Sequence, residues 1–208
     1  MLAMFPLKLV VYPGEYVNLH IFEPRYKQLI NECKETGMTF GIPTFVDGKL
    51  KDYATEVRLI AINKAYPKGE MDIHTEGLEV IKVEKFYRQA PDRLYGGADI
   101  ERLENNFQPD FLLATQLIEL LEEMFDLLQV DKEVNPDAQE FVSYDYAHSV
   151  GLSVQQEYEL LTLLSEAARQ EYLLNHLEGV LPKLREMEEL RRKVQMNGHF
   201  KNVLPPKL

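Results

Sequence analysis

Tryptophan is absent from this chain, and cysteine occurs once, at Cys33. A single thiol excludes an internal disulfide and any cysteine-based metal cluster. No apolar run approaches the ~20 residues that cross a bilayer. The N-terminus has neither the basic stretch nor the small-residue cleavage site of a secretory leader. These absences predict a cytoplasmic protein with no membrane segment, one that begins in its core without leader or tail. Basic residues are also scarce, 23 Lys and Arg against 34 Asp and Glu, for a formal charge of −11. Phosphate contacts need clustered cations, so nucleic acid is not an expected partner. The one basic cluster, Arg191-Arg192-Lys193, falls near the end of a predicted helix, where it complements the negative end of the helix dipole. No Gly-x-x-x-x-Gly-Lys-Ser/Thr loop is present to cradle a nucleotide phosphate, and His176-Leu177-Glu178 is not a His-Glu-x-x-His zinc motif. No cofactor is expected.

What is present divides by periodicity. Residues 1–105 read mainly as strands. An apolar run, a Pro13-Gly14 turn and a second apolar run lead into a helix, for which Pro24 suits the first position. Tyr26, Leu29, Ile30 and Cys33 then recur on one helical face, and Gly37 supplies a left-handed stop. Residues 38–46 form a strand ending at the hairpin pair Asp47-Gly48. Residues 55–66 form another, closed by a turn at Pro67–Gly69. Met71, Ile73 and Thr75 alternate with Asp72, His74 and Glu76, as in a half-buried strand. Gly77 is expected to break that run before a separate strand at 80–87, and residues 95–103 to add the last, with Gly96-Gly97 at a bulge or a close backbone approach.

From Gln108 the period becomes helical. The pattern predicts a helix opening at Pro109-Asp110 and running to Leu128, and a second from Asn135-Pro136 to Ser149. A third follows a Ser153–Gln156 capping box, and a long fourth follows Ser165, kinked or split at Pro182. Asn197-Gly198 should end it, and Pro205-Pro206 marks an extended tail. The expected architecture is α+β, with a β-barrel domain at 1–105 and a helical-bundle domain at 106–208. The wide apolar stripes at 111–128 and 166–194 are filled by the bundle itself or leave a homo-oligomer open.

Several constellations have the composition of a site. Ser143, Asp145 and His148 have triad content, but on a helix neighbours two or five apart do not face one another. Asp72, His74 and Glu76 share a strand face that either approaches a metal or is simply solvated. Cys33, on an apolar helix face, reads as a buried structural thiol. Glu23 and Arg25 read as local partners at a helix start. Eleven tyrosines are more suggestive, since Tyr12, Tyr16, Tyr53, Tyr66, Tyr87 and Tyr95 all lie in the β half. Near strand ends, Tyr12, Tyr66, Tyr87 and Tyr95 are candidates for an apolar yet hydrogen-bonding peptide groove, with barrel packing as the alternative.

Residues 4–26, with Phe5-Pro6, Pro13-Gly14 and Phe22-Glu23-Pro24-Arg25-Tyr26, closely resemble the opening of the Lon protease N-terminal domain, whose pattern is "FPL…V.FPG…LHIFEPRY". Phe40-Gly41-Ile42 is similar to the family's next strand. Residues 54–60 resemble its "GT…I" strand, with Ala54 for the usual glycine. Residues 74–83 resemble its "V.G..RF.I" strand pair without the Arg-Phe, and residues 153–177 its helical portion. The similarity covers nearly the whole chain, and its specific part is 4–26.

This resemblance implies a small PUA-like barrel with one early helix, followed by a helical bundle with a long terminal helix. In Lon proteases that region recognises polypeptide substrates and helps assemble the enzyme, and the same barrel occurs in the substrate adaptor cereblon. The ATPase and Ser–Lys peptidase modules have no counterpart here, nor do the zinc-binding cysteines of cereblon. The resemblance therefore implies a stand-alone, non-catalytic recognition module whose partners are polypeptide substrates or a partner protease or chaperone. A small-ligand-binding barrel and an ATP-independent hydrolase are the competing readings.

Overall fold

A computed structural model describes residues 1–46 and 48–199. The chain groups into two compact units, one of residues 1–107 with 142–169 and one of residues 108–141 with 170 onward. This grouping cuts across the single boundary expected near 105, because residues 142–169 pack with the strands.

The first unit holds six strands: β1 (Leu2–Met4), β2 (Tyr16–Ile21), β3 (Phe40–Val46), β4 (Lys49–Ala65), β5 (Met71–Tyr87) and β6 (Gly96–Arg102). Their order is β2-β5-β4-β3-β1-β6, and β6 pairs back onto β5, so the sheet nearly closes into a ring. Among the described strand pairs only β1–β3 is parallel. Helix α1 (Pro24–Thr36) has Pro24 in its first turn and ends at Gly37, whose φ of 72° gives the expected left-handed stop. Its buried face is Tyr26, Leu29, Ile30 and Cys33, packed with Phe5, Phe40, Ile42 and Ile73 in the barrel core. Asp47, of the expected hairpin pair, lies outside the described residues; Gly48 has the positive φ such a turn needs.

Gly77 does not break its strand, and β5 runs through it for 17 residues. The reason is a close approach. The Gly77 N–H donates to Glu15 O and its carbonyl accepts from Gly14 N–H, both at 2.8 Å. A Cβ there would lie 2.1 Å from the Tyr12 carbonyl oxygen, so glycine admits the Pro13–Gly14 turn against the strand. The pair Gly96-Gly97 does the same where β6 meets the backbone of Tyr87 and Leu2.

Two helices complete this unit, α3 (Tyr144–Ala147) and α4 (Val154–Thr162). The helix expected over 136–149 is confined to α3. Asn135 and Asp137 side chains take the N–H groups of Asp137 and Gln139, at 3.0 and 2.9 Å, and the Ser143 N–H goes to the Glu166 carboxylate at 2.7 Å. Such side-chain bonds compete with the helical ladder. The capping box of α4 forms as expected. Helix α5 (Glu166–His199) begins here, with the Ala168 N–H reaching Ser165 Oγ at 3.3 Å.

At that start lies the fully buried ion pair Arg169–Glu166, at 2.7 Å. The guanidinium also donates to Asn105 Oδ1, Leu163 O and Asn106 O at 2.6–2.8 Å, and lies over the rings of Tyr144 and Phe107. Every face of the cation is thus occupied, which is what makes a buried charge tolerable.

The second unit is helical. Asp110 caps α2 (Phe111–Leu128) by accepting from the N–H groups of Leu112 and Leu113. Ala114, Leu117, Ile118, Leu121, Met124 and Phe125 are its buried face. The rest of α5 contributes Leu173, Leu177 and Leu181 to the core, and Arg185 grips Glu123 through two bonds of 2.5 and 2.7 Å. Pro182 does not split the helix, which continues to His199. Pro182 is exposed, as is Glu178, so the carbonyl left without its usual donor is open to water. The expected stop at Asn197-Gly198 falls inside the helix, and Pro205-Pro206 lies outside the described residues.

Candidate functional site

The opening segment builds a cavity. After β1 the chain stays on β3: Phe5 N–H donates to Gly41 O, Leu7 N–H to Pro43 O, and Phe45 N–H to Leu7 O, at 2.7–3.2 Å. Along an extended chain successive side chains face opposite ways. Phe5 therefore turns into the core, its ring 4.0 Å from that of Tyr26, while Pro6 lines a cavity of about 630 Å³. Met4, Leu7, Tyr26, Phe45, Leu50 and Phe86 give this cavity an apolar wall, and Lys8, Arg25 and Arg88 stand around it. A smaller cavity of about 210 Å³ shares Pro6, Leu7, Arg25 and Tyr26 and adds His20 and Phe22. All of these residues belong to the first unit.

The family-motif residues divide between support and lining. Glu23 pairs with Arg25 at 2.8 Å, and the Arg25 guanidinium lies 4.5 Å over the Tyr26 ring. A cation in the first turn opposes the helix dipole, so these two contacts hold Arg25 where the helix alone would not favour it. Phe22 is 60% exposed and stacks on His20. Gly14, with φ of 83°, follows the buried Pro13 in the turn against β5. Gly41 has no room for a Cβ, because Met4 Sδ would be 2.6 Å away.

The four candidate tyrosines do not converge. Tyr12 is fully buried, stacked on Tyr144 at 4.6 Å, and its hydroxyl donates to Glu157 O. Tyr95 is buried with its hydroxyl 2.5 Å from Glu32; burial and that carboxylate push its pKa up to about 12. Tyr66 and Tyr87 are half-buried, each bonded to a neighbouring carboxylate, Asp72 or Asp99, at 2.7 Å. Of the two other tyrosines of the β half, Tyr16 stacks on His74, and the Tyr53 N–H donates to the Tyr158 hydroxyl. None of the four candidates lines either cavity. Phe45 and Phe86 do, and both lie near strand ends; weighing every aromatic there, rather than tyrosine alone, would have included them. Lys8 and Arg88 carry no local signal, since only closure of the barrel brings them together.

Other constellations resolve into local partners. His148 is bonded by Glu15 and Glu157, at 3.3 and 2.8 Å, one carboxylate on each ring nitrogen. Those hydrogen bonds, Glu15 foremost, outweigh burial and raise its pKa to about 9. Ser143 is buried and its Oγ has no hydrogen-bond partner, while both His148 nitrogens are taken by carboxylates, so serine and histidine are not paired as in a triad. Asp72 bonds His20 and Tyr66, His74 bonds Asn18, and Glu76 bonds Arg58. Among the described residues no group of His, Cys, Asp and Glu is placed to hold a metal. Burial pushes the Cys33 thiol up to about 12, as befits a structural cysteine. No helix among the described residues is long and apolar enough to cross a membrane.

Residues 1–179 match the model of the ATP-dependent protease La (Lon) substrate-binding domain. The chain belongs to this family. Among solved structures, a Lon N-terminal domain protein from Xanthomonas campestris is 27% identical, with a TM-score of 0.61 over 84% of this chain and 96% of that one. The N-terminal domain of Mycobacterium avium complex Lon protease shares the fold at 11% identity, with a TM-score of 0.65 over 85% of this chain and 97% of that one. No curated protein matches the chain. The matched Lon domain is the part of that protease outside its catalytic modules, and it contains the whole barrel together with the residues that line both cavities.

Proposed function

We propose that this Lon-type domain is a non-catalytic polypeptide-recognition module, acting in the cytoplasm beside a partner protease or chaperone. The carrying observation is that Pro6, Arg25 and Tyr26, residues of the opening motif, line an apolar cavity together with Phe45 and Phe86. Exposed apolar segments distinguish unfolded clients from folded proteins, and an apolar wall rimmed by cations suits them. Fluorescence anisotropy with labelled casein tests this. Micromolar binding that weakens about tenfold in a Phe45→Ser/Phe86→Ser variant is the expected result. Absent binding, or binding indifferent to that variant, overturns it. Affinity capture with mass spectrometry then identifies the partner.

A second reading has one observation in its favour. A volume of about 630 Å³ lies in the range of small-ligand sites. A metabolite that raises the melting temperature, in a chain indifferent to unfolded polypeptide, would support it.

A further inference from the structure

The main cavity combines an apolar wall with charge of one sign. Of its lining residues three are cationic, Lys8, Arg25 and Arg88, and none is acidic. Acidic residues outnumber basic ones 34 to 23 along the whole chain, so the cavity runs against the composition around it. Arg25 has Glu23 beside it. Lys8 and Arg88, by contrast, have no carboxylate partner among the described residues, although the chain is rich in them. The three cations also come from separate places: the segment after β1, the first turn of α1, and the residue following β5. They come together as lining residues of the one cavity.

We propose that this groove selects the C-terminal ends of polypeptides, seating apolar terminal side chains against Leu7, Phe45 and Phe86 and the terminal carboxylate among Lys8, Arg25 and Arg88. The inference rests on the polypeptide-recognition reading and adds the chemistry of what is recognised. An anion entering an apolar site must be paired to offset its desolvation, and cations already standing at the wall supply the pairing. A cavity of about 630 Å³ has room for the last side chains of a polypeptide together with their carboxylate. A chain end also brings its carboxylate without requiring an acidic side chain at a particular position.

The test uses the full chain and three fluorescein-labelled peptides: a Gly-Ser-Ala-Leu-Phe-Leu hexapeptide with a free carboxylate, the same peptide as its C-terminal amide, and an amide with Glu in place of Ser. The free acid should bind roughly tenfold more tightly than the plain amide at low salt, and the difference should shrink as salt rises. In a Lys8→Ala/Arg88→Ala variant, checked for native circular dichroism, acid and amide should become equal. Equal affinity of acid and amide for the unaltered chain overturns the proposal while leaving polypeptide recognition standing. A Glu-bearing amide that binds as well as the free acid overturns the chain-end preference. Failure of every peptide, with casein still bound, also overturns it; failure of casein as well brings down the reading beneath it.

Discussion

Residues 4–8 and residues 11–15 lie a few positions apart in one segment, yet they meet opposite surroundings. At 4–8, Met4, Pro6 and Leu7 line an open cavity whose wall is apolar and whose charges are cationic. At 11–15 the chain is sealed: Tyr12 is stacked on Tyr144, Glu15 is tied to His148, and the Pro13–Gly14 turn is bonded to Gly77. Both stretches are rich in apolar and aromatic residues. The difference is coverage. Tyr144 of α3 and Glu157 of α4 close over the second stretch, whereas α1 meets the first only from the core side, through Tyr26 against Phe5, so aromatic content alone does not make a binding surface.

This contrast can be broken from its sealed side first. Gly77→Ala should have the largest effect, because its Cβ meets a backbone carbonyl at 2.1 Å and the turn must move; a loss of about 3 kcal/mol or more is expected in urea denaturation. Gly41→Ala, on the open side, meets the ends of the Met4 and Ile81 side chains instead, and about 1 kcal/mol is expected. Glu166→Ala should come close to Gly77→Ala, since it strands the fully buried Arg169 guanidinium; about 3 kcal/mol is expected from the same measurement.

On the open side the expectation reverses. Phe45 is 38% exposed, so Phe45→Ser should leave the melting temperature within a few degrees of the parent chain. It should nevertheless weaken binding of unfolded polypeptide severalfold, measured by anisotropy.

The smallest expected effect is a pH dependence of the sealed side. His148 has its pKa raised from an ordinary 6.5 to about 9 by Glu15 and Glu157. Its contribution to stability is thus fully present below about pH 6.5 and is lost as pH rises through about 9. The ring is 38% exposed, and screening by solvent reduces the contribution to about 1 kcal/mol. The unfolding free energy from urea denaturation should fall by that amount from pH 6 to pH 10 in the parent chain, and His148→Gln should flatten this part of the profile.

Much of the fold was legible in the sequence because its signals are local. Pro24 and Gly37 bound α1 as their backbone preferences require, Asp110 and Ser153 cap α2 and α4, and Tyr26, Leu29, Ile30 and Cys33 bury the face their spacing predicts. Reading failed where a distant residue competed. Gly77 resembles a strand breaker until the Tyr12 turn is placed against it. Residues 136–149 look helical until the Glu166 carboxylate takes the Ser143 N–H. The cavity was the least legible feature, since Lys8, Arg25, Phe45 and Arg88 share no period and no motif.

By itself the sequence determined the family and the order of strands and helices, because the opening segment encodes a turn, a helix start and an aromatic packing pair within 23 residues. It also determined the sign of the overall charge. Only the tertiary structure decided which aromatic residues stay open and where cations gather. Closing the barrel brings residues 6, 25, 45 and 88 to one cavity, and the packing of α3 and α4 takes Tyr12 out of solvent. Coverage and convergence are properties of long-range contact, and no local pattern carries them.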